Sequence, residues 1–221
     1  MKNEIKIALN KCGLLPAAMY LYRSYYYARH KRCEIGGKLR ASGKVDEKYR
    51  KMMDYKNIHN GQRCFIVATG PSLKVEDVEK LTGEHTFSMN SIVKMFDKTS
   101  WRPTYYGIQD ERVYSVLCND KYFSDMKNIF VADYVFEKLG IDMTNSGDYI
   151  IYPFDLLDHY YYKRTTFRTK FSDNAYDCVY DGGTVTYSMM QIAAYMGFKE
   201  IYLLGCDCDY SGEKKHFKDY G

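Results

Sequence analysis

No run of about 18 apolar residues occurs in this sequence, so no membrane-spanning helix is expected. The N-terminus offers no secretory signal either. Lys2 suits a basic leader, but Glu4, Lys6, Lys11 and Cys12 interrupt any apolar core behind it. Charge of one sign is lacking: 32 basic residues face 28 acidic ones, a net of +4, too balanced for nucleic-acid binding through bulk charge. The seven cysteines (Cys12, Cys33, Cys64, Cys118, Cys178, Cys206 and Cys208) have no regular spacing, and their odd number argues against a disulfide framework. Cys206 and Cys208 do not form a C-x-x-C, and no second pair completes a zinc site. Reduced, mostly buried thiols in the cytoplasm are the expectation. The phosphate-binding signature Gly-x-x-x-x-Gly-Lys-Ser/Thr is missing, as are Gly-x-Ser-x-Gly and His-Glu-x-x-His. A P-loop NTPase is excluded. There is no internal repeat and no low-complexity segment.

What is present is a globular composition, 46% hydrophobic, with 24 tyrosines. Tyr20, Tyr22, Tyr25, Tyr26 and Tyr27 cluster early, and Tyr160, Tyr161 and Tyr162 late; such rings suit half-apolar, half-polar surfaces. Residues 1–60 show no strand signal and hold most of the basic excess. Helices are expected over Leu14–His30 and Val45–Ile58, joined at Gly36, Gly37 and Gly43. The pair serves either as a membrane-surface or partner-binding appendage or as a helical cover on the main domain.

From residue 61 onward the pattern alternates. Strands are expected at Cys64–Ala68, His85–Met89, Thr104–Ile108, Asn128–Ala132, Asp148–Tyr152 and Glu200–Leu204. Helices are expected at Val75–Leu81, Ile92–Phe96, Glu111–Cys118, Val135–Leu139 and Thr184–Met196. This predicts an α/β fold: a Rossmann-like, doubly wound, mostly parallel sheet over residues 61–221 with helices on both faces. Lys163–Asn174 reads as a loop. A doubly wound domain normally adds a helix and strand after Leu204, so the sequence is expected to be a C-terminally truncated fragment.

Ligands of such sheets bind beyond the carboxyl ends of the strands. Four segments qualify: Thr69–Ser72, Met89–Ser91, Gln109–Asp110 and Gly205–Asp209. In the first, Gly70 permits close backbone approach, Pro71 has no N–H to leave unpaired, and Ser72 is a good N-cap. Together they either aim a helix N-terminus at a nucleotide phosphate or make a plain connection. Asn90 can hydrogen-bond a base or sugar edge, or simply favour a turn. Asp181-Gly182-Gly183-Thr184-Val185 opens a helix whose stripe is Val185, Met189, Ile192, Ala193 and Met196. Open amides at Gly182 and Gly183 and the Thr184 hydroxyl make it a second anion-site candidate. Asp207 and Asp209 alternate in an extended segment and can converge on Mg²⁺ or a ribose hydroxyl. Asp110 is a third acidic candidate. His216, close behind, can act as general base toward a hydroxyl.

In this order, Gly70-Pro71-Ser72-Leu73, Pro103 to Asp110, Gly182-Gly183-Thr184-Val185, Met196-Gly197-Phe198-Lys199-Glu200-Ile201-Tyr202-Leu203-Leu204-Gly205-Cys206-Asp207 and His216 resemble the MptE-like 6-hydroxymethylpterin diphosphokinase family. The skeleton is also similar to bacterial CMP-sialic-acid sialyltransferases and to flagellin-glycosylation proteins of the Maf type. The resemblance spans roughly residues 62–221. It implies a transferase with its nucleotide donor at Gly70–Leu73. One reaction is diphosphate transfer from ATP, with Mg²⁺, to a hydroxymethyl acceptor. The alternative is glycosyl transfer from a CMP-type donor to a small-molecule or glycan acceptor, and a non-catalytic nucleotide-binding module is the third. Gly183 stands where the sialyltransferases have serine, and Asp209 where they have a tyrosine. The roles expected are phosphate contact for Gly70, Pro71, Ser72, Asn90, Gly182, Gly183 and Thr184, metal binding for Asp110, Asp207 and Asp209, and catalysis for Asp207 and His216. The expected setting is cytoplasmic, with no nucleic-acid partner, and with membrane contact through the N-terminal helix and homo-oligomer formation left open.

Overall fold

The computed structural model describes residues 3–141, 150–157 and 170–208. Two helices come first, α1 (Asn3–Lys11) and α2 (Leu15–Ala41), then a 3₁₀ segment over Arg50–Tyr55. Strands and helices then alternate: β1 (Arg63–Val67), α3 (Val75–Glu79), β2 (Thr86–Met89), β3 (Tyr105–Ile108), α4 (Glu111–Leu117), β4 (Asn128–Ala132), α5 (Asp133–Leu139), β5 (Ile150–Phe154), β6 (Leu156–Leu157), β7 (Val179–Tyr180), α6 (Val185–Tyr195) and β8 (Glu200–Leu204). Six strands form one sheet in the order β5-β4-β3-β2-β1-β8, and every pairing in it is parallel. β6 and β7 make a separate two-stranded parallel pair.

Side-chain alternation places helices on both faces. Phe87, Tyr105, Gly107, Phe130 and Tyr152 are linked by register and share one face. Tyr55 packs edge-on to Tyr105, Phe130 and Tyr152 there, and α6 lies on the same side. Gly107 admits that helix: a Cβ at this position would meet the Met189 sulfur at 2.4 Å. Tyr106 points the other way, toward Phe123, whose ring also meets Tyr114 of α4; Tyr114 in turn meets Phe136 of α5. The stripe expected on α6 is its buried face: Val185, Met189, Ile192, Ala193 and Met196 are all in the core. Gly197, at φ +88°, ends the helix as expected. The segment just before β1 is strapped to that end, with the amides of Asn57, His59 and Gly61 donating to the carbonyls of Tyr195, Met196 and Gly197.

Several sequence expectations need correction. α1 was not foreseen. Val45–Ile58 is not a helix but turns around a 3₁₀ segment, because its docking is set by Tyr49, Met52 and Tyr55 packing rather than by a helical stripe. α2 runs through Gly36 and Gly37, so only Gly43, at φ +91°, marks the joint. Gly37 is there for packing: a Cβ would come within 3.1 Å of the Asp177 carbonyl. Ile92–Phe96 is not an α-helix; a 3₁₀ segment, Asn90–Met95, stands there and Phe96 caps it. β5 is shifted to Ile150–Phe154, and the short pair β6–β7 gave no sequence signal. Of the cysteines, only Cys64 and Cys178 are buried, and none is paired. Asp148, residues 163–169 of the expected loop and Tyr160–Tyr162 lie outside the described residues.

α2 covers the domain with one of its faces. Arg40 is 4% exposed and its guanidinium bonds Asp155 at 2.5 Å, Asp46 at 3.0 Å and the Asp177 carbonyl. Arg29 pairs with Glu137 at 3.2 Å. Among the described residues no helix is long and apolar enough to cross a membrane.

Candidate functional site

The sheet order fixes where a ligand site belongs. The chain steps outward from β1 to β5 and then returns to the other side of β1 as β8. The order therefore reverses between β1 and β8, and the crevice beyond their carboxyl ends is the switch-point position. A cleft of ≈ 270 Å³ opens there, lined by Gly70 and Pro71 after β1, Asn90 after β2, Thr184 at the start of α6, and Cys206 and Asp207 after β8. Three of the four loops picked out by the sequence meet in it.

The turn after β1 is built differently from the expectation. Ser72 does not cap a helix: α3 begins at Val75 behind Lys74, and is only five residues long. Ser72 instead binds Asp207, its amide donating to Oδ2 at 2.9 Å and its hydroxyl to Oδ1. The Gly70 amide donates to the Gly205 carbonyl at 2.9 Å. Gly70 is required by this contact. A Cβ there would stand 2.4 Å from the Gly205 oxygen and 2.5 Å from Asp207 Oδ2. The close approach read from the sequence is thus an approach by the chain's own β8 loop. Gly205 answers with φ +62°, where a side chain would press on the Ala68 carbonyl at 2.9 Å.

The second glycine turn is likewise occupied. The Gly183 amide donates to Asp181 Oδ1 at 2.6 Å, and Gly183 itself sits at φ +78° in open space. Gly182 lies under the Tyr187 ring, where a Cβ would be 2.6 Å from ring carbons. The phosphate-holding amides expected at Gly70 and Gly183 are therefore both bonded within the protein. What remains aimed at the cleft is the start of α6, an 11-residue helix whose Thr184 oxygen accepts from the Thr186 amide at 3.3 Å. A helix start of this kind carries roughly half a positive charge.

Asn90 is the most unusual lining residue. It adopts φ +49°, a left-handed conformation that Asn tolerates better than most side chains. Its carbonyl accepts from Tyr106 Oη at 2.5 Å, while its side-chain Oδ1 is buried with no partner. An unmatched buried acceptor of this kind costs about 1–3 kcal/mol. Burial pushes the Cys206 thiol above its ordinary pKa, the neighbouring Cys208 and Asp207 adding to this, so it is no ready nucleophile.

Asp110 does not join the cleft. Its Oδ1 accepts from the amides of Arg112 at 2.8 Å and Val113 at 3.1 Å, which makes it the N-cap of α4. Gln109 beside it, in the same expected ligand segment, has a structural role that the sequence does not signal. Its side-chain oxygen accepts from Ser188 at 2.7 Å and its amide reaches Asp181 at 3.4 Å, so β3, α6 and the turn before α6 are locked together. Asp181 preceded the glycine pair in plain view, but its partner lies 72 residues away. Asp209 and His216 lie outside the described residues. Among the described residues no three His, Cys, Asp or Glu side chains converge on a metal position. With both Asp207 oxygens held by Ser72 and Asp110 capping α4, the described residues do not build a metal centre.

The fold and the cleft define a Rossmann-like α/β protein with an open cleft at its switch point. The chain belongs to the 6-hydroxymethylpterin diphosphokinase MptE-like family, whose profile matches residues 43–213. Among solved structures it is similar to that titled "Structure of MAf glycosyltransferase from Magnetospirillum magneticum AMB-1", with 17% identity and a TM-score of 0.45. The similarity covers 79% of this chain but only 29% of that one. No curated protein matches the chain.

Proposed function

We propose that the protein is a nucleotide-dependent transferase and that the cleft between β1 and β8 receives the donor nucleotide. The observation that carries this reading is the convergence of Gly70, Pro71, Asn90, Thr184 and Asp207 on one switch-point cleft. The start of α6 faces the phosphates, and the unpaired Asn90 oxygen accepts from a base or ribose donor. Asp207 acts at the reacting end of the cleft, and His216 removes the proton of the acceptor hydroxyl. The finer chemistry proposed is the one the family is named for, diphosphate transfer to a hydroxymethyl acceptor. Mg²⁺ would arrive with the donor phosphates rather than reside in the protein.

A thermal-shift series on the full chain tests this. Stabilisation by ATP that requires Mg²⁺ is the expected result. Stabilisation by CMP without metal would replace diphosphate transfer by glycosyl transfer, and no response to any nucleotide would leave only a module without this chemistry.

A further inference from the structure

We infer that the outward face of α2 seats the protein on an anionic membrane surface. α2 has two unlike sides. Its inner side is tied to the domain through Arg29 and Arg40, both paired with acids of the domain. Its outer side carries Tyr20, Leu21, Tyr27, Ile35 and Leu39, all exposed, with Tyr20 at 71% and Leu21 at 68%. At 3.6 residues per turn these five fall within one arc of about 120°. Ile5 and Ile7 of the adjoining α1 are exposed as well. Apolar surface of this kind, gathered on a helix flank, is uncommon on a protein that meets only water.

The charge in and beside the arc selects the partner. Lys31 and Lys38 stand within the arc and Arg23 and Arg32 flank it on α2, and Glu34 is the sole acid of that helix. Lys31 and Lys38 both pair with Glu34, at 2.8 and 3.0 Å, so one carboxylate is shared by two cations and a positive excess remains. A like-charged copy of the same face would be repelled, whereas an anionic lipid surface is attracted at about 1 kcal/mol per basic residue. Tyrosine suits the headgroup level, with its ring in the acyl boundary and its hydroxyl in water. The lysine stems extend past the apolar arc and leave their ammonium groups at the phosphates. No described helix is long and apolar enough to cross the bilayer, so the mode is α2 lying in the interface plane. This inference does not depend on the nucleotide reading.

Co-sedimentation of the full chain with phosphatidylcholine vesicles, with and without phosphatidylglycerol, tests it. The expected result is pelleting with the anionic vesicles only, lost on raising salt. The variant Tyr20→Ser/Leu21→Ser/Tyr27→Ser should weaken binding at least ten-fold. Lys31→Ser and Arg23→Ser should each weaken it roughly five-fold at low salt. All these positions are exposed, and an unchanged unfolding transition verifies that the fold persists. Asp207→Ala should bind vesicles as the parent does, which separates this outcome from any failure at the nucleotide cleft. Absence of pelleting, equal pelleting on neutral vesicles, or an unaffected triple variant would overturn the inference. So would sedimentation equilibrium showing a dimer that the triple variant dissociates, since that would assign the face to a second copy.

Discussion

Gly70 and Gly183 look alike in sequence and answer to different forces. At Gly70 the obstacle is steric: a methyl group would enter the Gly205 carbonyl and the Asp207 carboxylate, neither of which can yield without moving β8's loop. Gly70→Ala is expected to lower stability by about 1–3 kcal/mol in urea unfolding and to disturb nucleotide binding together with it. At Gly183 nothing stands within 4 Å of a methyl group, and the cost is the left-handed backbone alone. Gly183→Ala should cost about 1–2 kcal/mol, with the cleft intact. Asp207→Ala and His216→Ala should each abolish turnover, whereas Ser72→Ala, which removes one of the two bonds to Asp207, should lower activity partially and stability by about 1 kcal/mol. Full activity in the double variant Asp207→Ala/His216→Ala would remove both from the mechanism. The glycine, proline and aspartate positions were legible because local turn chemistry requires those residue types. Their partners were not: Ser72 and Asp207 are separated by 135 residues, and only the folded sheet brings them together.

At the scale of elements, the parallel strands were legible because burial on both faces produces short apolar runs, and α6 because its stripe has helical spacing. The N-terminal third was harder. α2 binds through buried charge instead of an apolar stripe, so its length and the glycine pair within it could not be read from periodicity. Its anchor is correspondingly sensitive. Arg40→Ala leaves Asp155 buried without its cation and is expected to cost roughly 3–5 kcal/mol by chemical denaturation. Burial raises the Asp155 carboxyl from 3.8 to about 6, with Asp133 adding to the rise and Arg40 opposing it. A raised carboxyl pKa favours the folded state while the group is protonated. That contribution is full below roughly pH 4 and is lost as pH rises through about 6. The stability difference between the parent and Asp155→Asn should therefore change across this window and be level above it. A difference that is flat from pH 4 to 7 would contradict the placement of Asp155.

The whole molecule is organised by one reversal in its sheet. Because β8 returns beside β1, the loops after β1, β2 and β8 and the start of α6 share a single cleft, while the loop after β3 is turned to holding α4 and α6 in place. Strand alternation alone predicts that such a cleft exists, but not which loops enter it, and so Asp110 looks like a ligand-binding acid in the sequence while the fold uses it to cap α4. The central claim is that this cleft takes the nucleotide. Backbone amide chemical shifts of the full chain, followed through a titration with ATP and Mg²⁺, test it most directly. The account predicts that the largest changes fall in residues 68–72, 89–90, 184–187 and 205–208. Changes centred on other loops, or none at saturating nucleotide, would contradict it.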